Sequence, residues 1–283
     1  MKNDYFVHIF PERDIYKSKY EETDELPLMA TPGPVLIILA VYLLFVLKVG
    51  PALMTKREPF KLTGVLLLYN TIQVVLSMYM VQLYFNDFME KGILPKKCYM
   101  NDNHHRKEIL TGIWIYFMAK VSELLDTVFF VLRKKYNQIT FLHLYHHSCM
   151  MIGTWALIKY WPTHTVFFIG LLNSLVHVFM YAYYGLAALG PKVTKYIFWK
   201  KYITRFQMIQ FVSVILHYIA AVRSSDCPPT RNIIIFIICN TAFFLLLFYN
   251  FYRHSYKKVD KTQTNGIHKN LETKEISEEY KTK

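Results

Sequence analysis

Residues 232–252 read NIIIFIICNTAFFLLLFYNFY, an almost wholly apolar stretch. A helix needs roughly 20 apolar residues to cross the hydrocarbon core of a bilayer. The run at 233–238 does not alternate apolar with polar residues, as a membrane-spanning β-strand would. Only helices and closed barrels satisfy their backbone hydrogen bonds in lipid, so this stretch predicts a membrane-spanning helix.

Six further stretches of similar composition precede it, at 34–54, 64–86, 110–132, 139–160, 165–187 and 202–222. Seven such stretches in 283 residues, of which 53% are hydrophobic, leave little sequence for a separate soluble domain. We therefore expect an all-α membrane protein with seven transmembrane helices at 31–253. A polar segment at 1–30 precedes this domain, and a disordered tail at 254–283 follows it.

The formal net charge of +13 would suggest nucleic acid as the partner of a soluble protein. Here most basic residues lie in loops or tails, where they set orientation and attract anionic substrates or lipid headgroups. The loops after spans one, three and five, and the start of the tail, are the richer in Lys and Arg. The basic loop at 87–109 is the exception. This bias places the C-terminus in the cytosol and, with seven spans, the N-terminus in the lumen.

The four cysteines fall into two groups. Cys149 and Cys239 lie within predicted spans, whereas Cys98 and Cys227 lie in the two loops assigned to the lumen. Disulfides form in oxidising compartments such as the lumen of the endoplasmic reticulum, so we expect Cys98 and Cys227 to be paired. Two unpaired thiols are the alternative.

Spans three to six differ from the others because they carry many polar and ionisable groups at membrane depth. These are Lys120, Glu123 and Asp126; His143, His146 and His147; Asn173 and His177; and Thr204, Gln207 and Gln210. At ~1.5 Å per residue they fall within roughly 10–20 Å of the predicted cytosolic helix ends. Such groups are costly in lipid, so their common depth favours one shared chamber.

Several of these groups also have a structural explanation when taken singly. Lys120 and Glu123, three residues apart on a helix, could form a neutralised structural pair, and His177 could be a hydrogen-bonded core residue. Gln207 and Gln210 could join helices by hydrogen bonds. In the other spans, Asn70, Gln73 and Asn240 are explained in that way. Three histidines within five residues of one span are not well explained by packing.

Four motifs in this region closely resemble those of the ELO family of fatty acid elongases. KVSELLDT at 120–127 matches KxxExxDT, and HLYHH at 143–147 matches HxxHH. HVFMYAYY at 177–184, with Asn173 upstream, matches HxxMYxYY, and TRFQMIQ at 204–210 matches TxxQxxQ. Membrane di-iron enzymes share HxxHH, but all four motifs in this order are very specific. The resemblance extends over roughly residues 30–255.

The resemblance implies a multi-pass enzyme of the endoplasmic reticulum membrane, with six of its seven helices around a tunnel for an acyl chain. The implied activity is that of a very-long-chain 3-oxoacyl-CoA synthase, an acyltransferase. It condenses a long-chain acyl-CoA with malonyl-CoA to give a 3-oxoacyl-CoA two carbons longer, CO₂ and CoA. No metal or other cofactor is implied. The expected partners are the bilayer, the two CoA thioesters, the ketoreductase, dehydratase and enoyl reductase of the cycle, and a second copy of the chain; nucleic acid is not among them.

The resemblance further implies that His146 carries the acyl group as an acyl-imidazole. We expect His177 to assist the malonyl step, and His143 and His147 to orient and tune His146. The other expected catalytic residues are Lys120, Glu123, Asp126 and Asn173. The expected substrate-binding residues are Tyr183, Tyr184, Thr204, Gln207 and Gln210, together with Arg133, Lys200 and Lys201 for the CoA phosphates. Those three cations could equally serve membrane topology.

Two other classes of protein compete with this interpretation. A membrane di-iron desaturase or hydroxylase needs several histidine boxes, whereas the chain has one HxxHH box, and metal analysis would distinguish the two. A seven-helix receptor or transporter would use its polar residues for ligand or ion passage. Ligand binding without catalysis would favour that class.

Overall fold

The computed structural model describes residues 17–197, 199–225 and 227–257, and within these residues the fold is all-helical, without strands. Its main helices are α1 (Gly33–Met54), α2 (Thr63–Lys91), α3 (Asn103–Ser122), α4 (Leu125–Leu132), α5 (Phe141–Tyr160), α6 (Val166–Ala188), α7 (Lys200–Ser224) and α8 (Arg231–Tyr252). A π-helical turn, Phe45–Val49, lies within α1. The predicted tail lies outside the described residues from position 258 onward.

Five of these helices, α1, α2, α6, α7 and α8, are long and apolar enough to cross a membrane. The helix predicted over 110–132 is instead interrupted, since α3 ends at Ser122 and α4 begins at Leu125. Glu123, at the interruption, is buried. Irregular backbone at membrane depth is tolerated only where it is buried in protein or lines a cavity, so the interruption marks the interior of the protein.

Six helices contact one another in a closed order. In that order α2 packs on α6, α6 on α7, α7 on α8, α8 on α5, α5 on α3, and α3 on α2. The first helix, α1, stands outside this order and makes its main contacts with α4. Most of the polar motif residues lie on four of these six helices, α3, α5, α6 and α7, whereas Asp126 and Thr127 lie on α4.

The contact between α2 and α6 depends on a small residue. A Cβ atom at Gly170 would lie only 2.7 Å from the ring of Tyr84, so glycine permits this close approach. The Tyr84 ring also packs on Phe167, with ring centroids 4.8 Å apart, and its hydroxyl donates to the carbonyl of Gly112 at 3.0 Å. Small residues are the usual means by which membrane helices pack closely.

One end of the molecule is tied together by a disulfide. Cys98 and Cys227, the predicted pair, are bonded, with their Cα atoms 5.1 Å apart. The bond joins the loop between α2 and α3 to the loop between α7 and α8. A hydrogen bond from the hydroxyl of Ser225 to the carbonyl of Pro95, 3.0 Å long, joins the same two loops.

The described part of the N-terminal segment packs against this same end. Lys159, which is fully buried, donates to Asp24 Oδ1 at 2.8 Å and to the carbonyl of Met29 at 2.7 Å. Arg106 near the start of α3 pairs with Glu22 at 2.7 Å. Partial burial opposes ionisation of Asp24, but hydrogen bonds from Lys159 and Ser18 outweigh it and hold the pKa of Asp24 below its ordinary value.

Candidate active site

A buried network of polar side chains joins α3 to α6. The Nζ atom of Lys120 donates to Glu123 Oε1 at 2.7 Å and to Asn173 Oδ1 at 2.6 Å. Nδ1 of His177 lies 3.1 Å from the same Glu123 oxygen. Both Lys120 and Glu123 are 2% exposed, and each has more than one polar partner. The predicted pairing of Lys120 with Glu123 is therefore present, and it is extended by a histidine and an amide.

The hydrogen bonds of Asn173 indicate the tautomer of His177. Asn173 Oδ1 accepts from Lys120 and from the hydroxyl of Tyr116, the latter at 2.9 Å, so its amide nitrogen faces Nε2 of His177 at 3.4 Å. An amide nitrogen can only donate, and Glu123 can only accept when ionised. The network thus assigns the proton of a neutral His177 to Nδ1 and leaves Nε2 as an acceptor.

Two side chains in the first turn of α4 make hydrogen bonds to other helices. Asp126 accepts a hydrogen bond from the hydroxyl of Tyr181 on α6, with 2.9 Å between the oxygens. Thr127 Oγ1 lies 2.8 Å from His143 Nε2 on α5 and 2.8 Å from the hydroxyl of Tyr42 on α1. The short helix α4 is therefore a junction of α1, α5 and α6.

The three histidines of HxxHH occupy the first two turns of α5. Thr140 begins this helix by accepting a hydrogen bond from the backbone N–H of His143 at 3.3 Å. The rings of His143 and His147 are 4.3 Å apart between centroids, and those of His146 and His147 are 5.2 Å apart. Among the described residues, no group of three or more His, Cys, Asp or Glu side chains is arranged to hold a metal ion.

A cavity lies among α3, α5, α6, α7 and α8. Its polar lining includes Tyr116, His146, Asn173 and Gln210, and the remaining lining is mostly apolar. Of the four motif histidines, His146 is the one that lines this cavity. The cavity also follows α5 away from His146, along Met150, Gly153 and Leu157, which recur on one helical face.

Two predicted substrate-binding residues of α7 lie outside the hydrogen-bonded network. The amide nitrogen of Gln207 lies 4.0 Å from the sulfur of Met180, and the hydroxyl of Thr204 donates to the carbonyl of Lys200 in its own helix at 3.4 Å. Gln210, by contrast, lines the cavity. Of the three TxxQxxQ residues, Gln210 is therefore the one that lines the cavity.

The remaining predicted substrate-binding residues lie near helix ends. Tyr183 and Tyr184, near the end of α6, contact each other with ring centroids 5.9 Å apart, and Tyr184 is exposed. Arg133 caps the end of α4, and Lys200 and Lys201 begin α7.

Three tyrosines and a serine belong to the site although sequence reasoning did not select them. Tyr116 precedes Lys120 by four residues, so helical spacing could have identified it. Tyr42 gave no such signal, because its span carries no ionisable group near it. Tyr69 donates to the carbonyl of Ser122 at 3.3 Å, and Gln73 to the hydroxyl of Ser122 at 2.9 Å.

The polar residues assigned to helix–helix contacts behave in two ways. Gln73 joins α2 to α3, and Asn240 of α8 accepts from the hydroxyl of Tyr145 on α5 at 3.0 Å, as predicted. Asn70 differs, because its amide donates to the carbonyl of Leu66 one turn earlier in the same helix, at 2.6 Å.

Comparison with known proteins places the chain in one family. Residues 27–264 match the model of ELO, the GNS1/SUR4 family. The chain is similar to very long chain fatty acid elongase 7 of Drosophila melanogaster, 41% identical over 256 residues that cover 88% of this chain and 76% of that protein. It is also similar to very long chain fatty acid elongase 4 of Homo sapiens, 42% identical over 258 residues covering 88% and 81%. Elongase 1 of Mus musculus is 42% identical over 240 residues, covering 82% and 84%.

Proposed function

The chain belongs to the ELO (GNS1/SUR4) family of very long chain fatty acid elongases, and from this premise we propose that it is a condensing enzyme. It joins a long-chain acyl-CoA to malonyl-CoA and forms a 3-oxoacyl-CoA two carbons longer, CO₂ and CoA. The observation that carries the proposal is the position of His146. This histidine lies where the polar network meets an apolar cavity suited to an acyl chain.

In the first half of the reaction, His146 is the nucleophile. A nitrogen of its ring attacks the thioester carbonyl, the carbon–sulfur bond breaks, and the imidazole proton passes to the departing CoA thiolate. Asn173, which lines the same cavity, has a second amide proton beyond the one that faces His177, and this proton orients the acyl carbonyl. His143 and His147 orient the ring of His146 and tune its reactivity.

In the second half, malonyl-CoA loses CO₂ and its C2 carbon attacks the acyl carbonyl. The carbon–nitrogen bond breaks, the imidazolate of His146 takes up a proton from the solvent, and the 3-oxoacyl-CoA leaves. His177 is the electrostatic partner of the malonyl group in this step, and Glu123 fixes its Nδ1 proton. Lys120, held beside them, stabilises negative charge that develops on the malonyl group.

We further propose seven spans, with α3 and α4 together as one and α5 as another. With 20 residues, α5 is about 30 Å long, which matches the hydrocarbon core. Six of the spans surround the acyl tunnel and α1 stands outside. The disulfide between Cys98 and Cys227 supports a lumenal position in the endoplasmic reticulum for its two loops and a cytosolic C-terminus. The CoA groups then enter from the cytosolic ends, near Arg133, Lys200 and Lys201.

The proposed enzyme needs no metal or other cofactor. Its 3-oxoacyl-CoA product passes to a ketoreductase, a dehydratase and an enoyl reductase in the same membrane, and a second copy of the chain is a further proposed partner.

The test is transfer of labelled malonyl carbon to lipid by the purified protein in detergent, with acyl-CoAs of graded length. His146→Ala is the informative variant. His104→Ala is the matched control, because the side chain of His104 is 78% exposed and lies far along α3 from the network. We expect incorporation that is lost in the first variant and kept in the second.

Two other results would change the conclusion. Incorporation that persists in His146→Ala would reject the acyl-histidine step and keep the enzyme class. No incorporation with any primer, from wild-type protein that elutes as one folded species, would reject the condensing activity; bound metal in that protein would then favour an oxidase.

A further inference from the structure

A chain of hydrogen bonds leads from α1, outside the closed order of helices, to the histidine box. The hydroxyl of Tyr42 lies 2.8 Å from Thr127 Oγ1, which in turn lies 2.8 Å from His143 Nε2. Tyr42 is 5% exposed and Thr127 is fully buried, so water does not compete for the bond between them. These hydrogen bonds connect α1, which contributes no residue to the cavity lining, with His143, which packs on His147.

The backbone of α1 is shaped to bring Tyr42 to this position. A π-helical turn, Phe45–Val49, begins three residues after Tyr42 within the same helix. After the turn comes Gly50, where a Cβ atom would lie 2.7 Å from Val131 of α4. The glycine therefore allows close contact between α1 and α4, and π-turns of this kind occur frequently at functional sites. The two features hold the hydroxyl of Tyr42 against α4.

The direction of the protons follows from the number of available acceptors. In the described residues, Thr127 is the hydrogen-bond partner of the Tyr42 hydroxyl, and a buried hydroxyl proton without an acceptor is costly. Tyr42 therefore donates to Thr127 Oγ1. The single proton of Thr127 then points to Nε2 of His143, which must be an acceptor. A neutral His143 in this arrangement carries its proton on Nδ1.

We propose that Tyr42 is a positioning residue that selects this tautomer of His143. The inference rests on the proposed function, because it assigns Tyr42 an effect on the condensation reaction through Thr127 and His143. Without the phenol proton, the Thr127 hydroxyl can rotate and accept instead of donate. His143 is then free to carry its proton on Nε2, which changes what its ring presents to His147 and, beyond it, to His146.

The test compares Tyr42→Phe with the wild-type enzyme in the condensation assay. Loss of one buried hydrogen bond that acts on the reaction is expected to lower kcat about three- to tenfold, with KM for acyl-CoA unchanged. Tyr84→Phe is the matched control, because Tyr84 is as deeply buried and also loses one hydrogen bond, but far from the histidines. We expect its kcat to match that of the wild type.

A second arm asks whether Tyr42 acts through Thr127. In a Thr127→Val background the relay is already broken, so Tyr42→Phe should have no further effect on kcat. Thr127→Ser retains the hydroxyl and should restore the dependence on Tyr42. Independent, additive losses from Tyr42→Phe and Thr127→Val would overturn the proposal.

A third arm does not depend on catalysis. Nitrogen NMR of histidine-labelled protein reports which ring nitrogen carries the proton, and His143→Gln identifies the signals. We expect the protonated nitrogen of His143 to change from Nδ1 to Nε2 in Tyr42→Phe. Unchanged signals would overturn the proposal even if kcat fell. A wild-type protein without condensing activity would reject the proposed function, whereas the NMR comparison would still decide the role of Tyr42.

Discussion

Replacement of Gly153 by leucine should shorten the acyl chain that the enzyme accepts. Gly153 lines the cavity, and a Cβ atom built on it meets no heavy atom within 4 Å, so a larger side chain enters open space. The residue stands seven positions after His146 on α5, on the same face of the helix. At ~1.5 Å per residue, the new side chain obstructs the cavity about 10 Å from the reacting histidine, whereas Leu157 lies about 16 Å from it.

The expected size of the effect follows from these lengths. An extended chain advances about 1.2 Å per bond, as a peptide does over the three bonds of each residue. The obstruction therefore falls about eight carbons from the carbonyl, and it removes the next five or so methylenes from the cavity. Each buried methylene contributes about 0.8 kcal/mol, so five contribute about 4 kcal/mol, or roughly 900-fold in kcat/KM.

The assay measures kcat/KM for acyl-CoAs from eight to eighteen carbons, expressed as the ratio of long to short primers. We expect Gly153→Leu to lower this ratio by nearly three orders of magnitude, about 900-fold, while it leaves the shortest primers unaffected. Gly64→Leu is the matched control, since a Cβ atom at Gly64 also meets nothing within 4 Å and the residue lies outside the cavity, in the first turn of α2. An equal loss at every chain length, or a ratio unchanged from wild type, would refute the reasoning that the acyl chain follows α5.

Three further predictions concern stability. Lys120→Met or Glu123→Gln alone should lower the free energy of unfolding by about 3–5 kcal/mol, because each leaves a buried charge unpaired. The double variant should recover most of the lost Tm in detergent but remain inactive. Equal Tm values in all three variants would contradict the buried pair. Cys98→Ser, like Cys227→Ser, should cost about 2–5 kcal/mol, and unchanged Tm and unchanged mobility on a non-reducing gel would argue against the disulfide. Because the pKa of Asp24 is held low, its contribution is present above the ordinary value of about 3.9 and is lost as the pH falls through the lower value of the folded state. Protection of residues 17–32 from protease should therefore weaken below about pH 4 in the wild type but stay low at every pH in Asp24→Asn.

The parts of the fold that the sequence predicted are those governed by composition. Runs such as 232–252 predict helices in lipid because no other open structure satisfies the backbone there. The disulfide followed from charge asymmetry between loops, since that asymmetry placed Cys98 and Cys227 in the same oxidising compartment. The closed order of helices did not follow, because apolar faces in lipid carry no signal that distinguishes one helical neighbour from another.

The site was predictable to the extent that its residues are ionisable. Lys120, Glu123 and His177 are conspicuous in an apolar stretch because burying them is costly without partners. Tyr42 is not conspicuous, because tyrosine is common in this chain and at membrane interfaces. Hydroxyl groups of this kind are identified by their partners, and partners on other helices are known only once the helices are packed.

The interruption between α3 and α4 explains why one short motif can serve three other helices. In a continuous helix, Lys120, Glu123 and Thr127 would share one face and compete for the same neighbour. The helix is interrupted by a turn at 123–124. Lys120 and Glu123 contact α6, whereas Thr127 contacts α1 and α5. The break also places the Glu123 carboxylate between Lys120 and His177, so that one oxygen fixes both. The residues that orient the histidines are thereby held by several bonds each, while His146, at the cavity wall, is left to react.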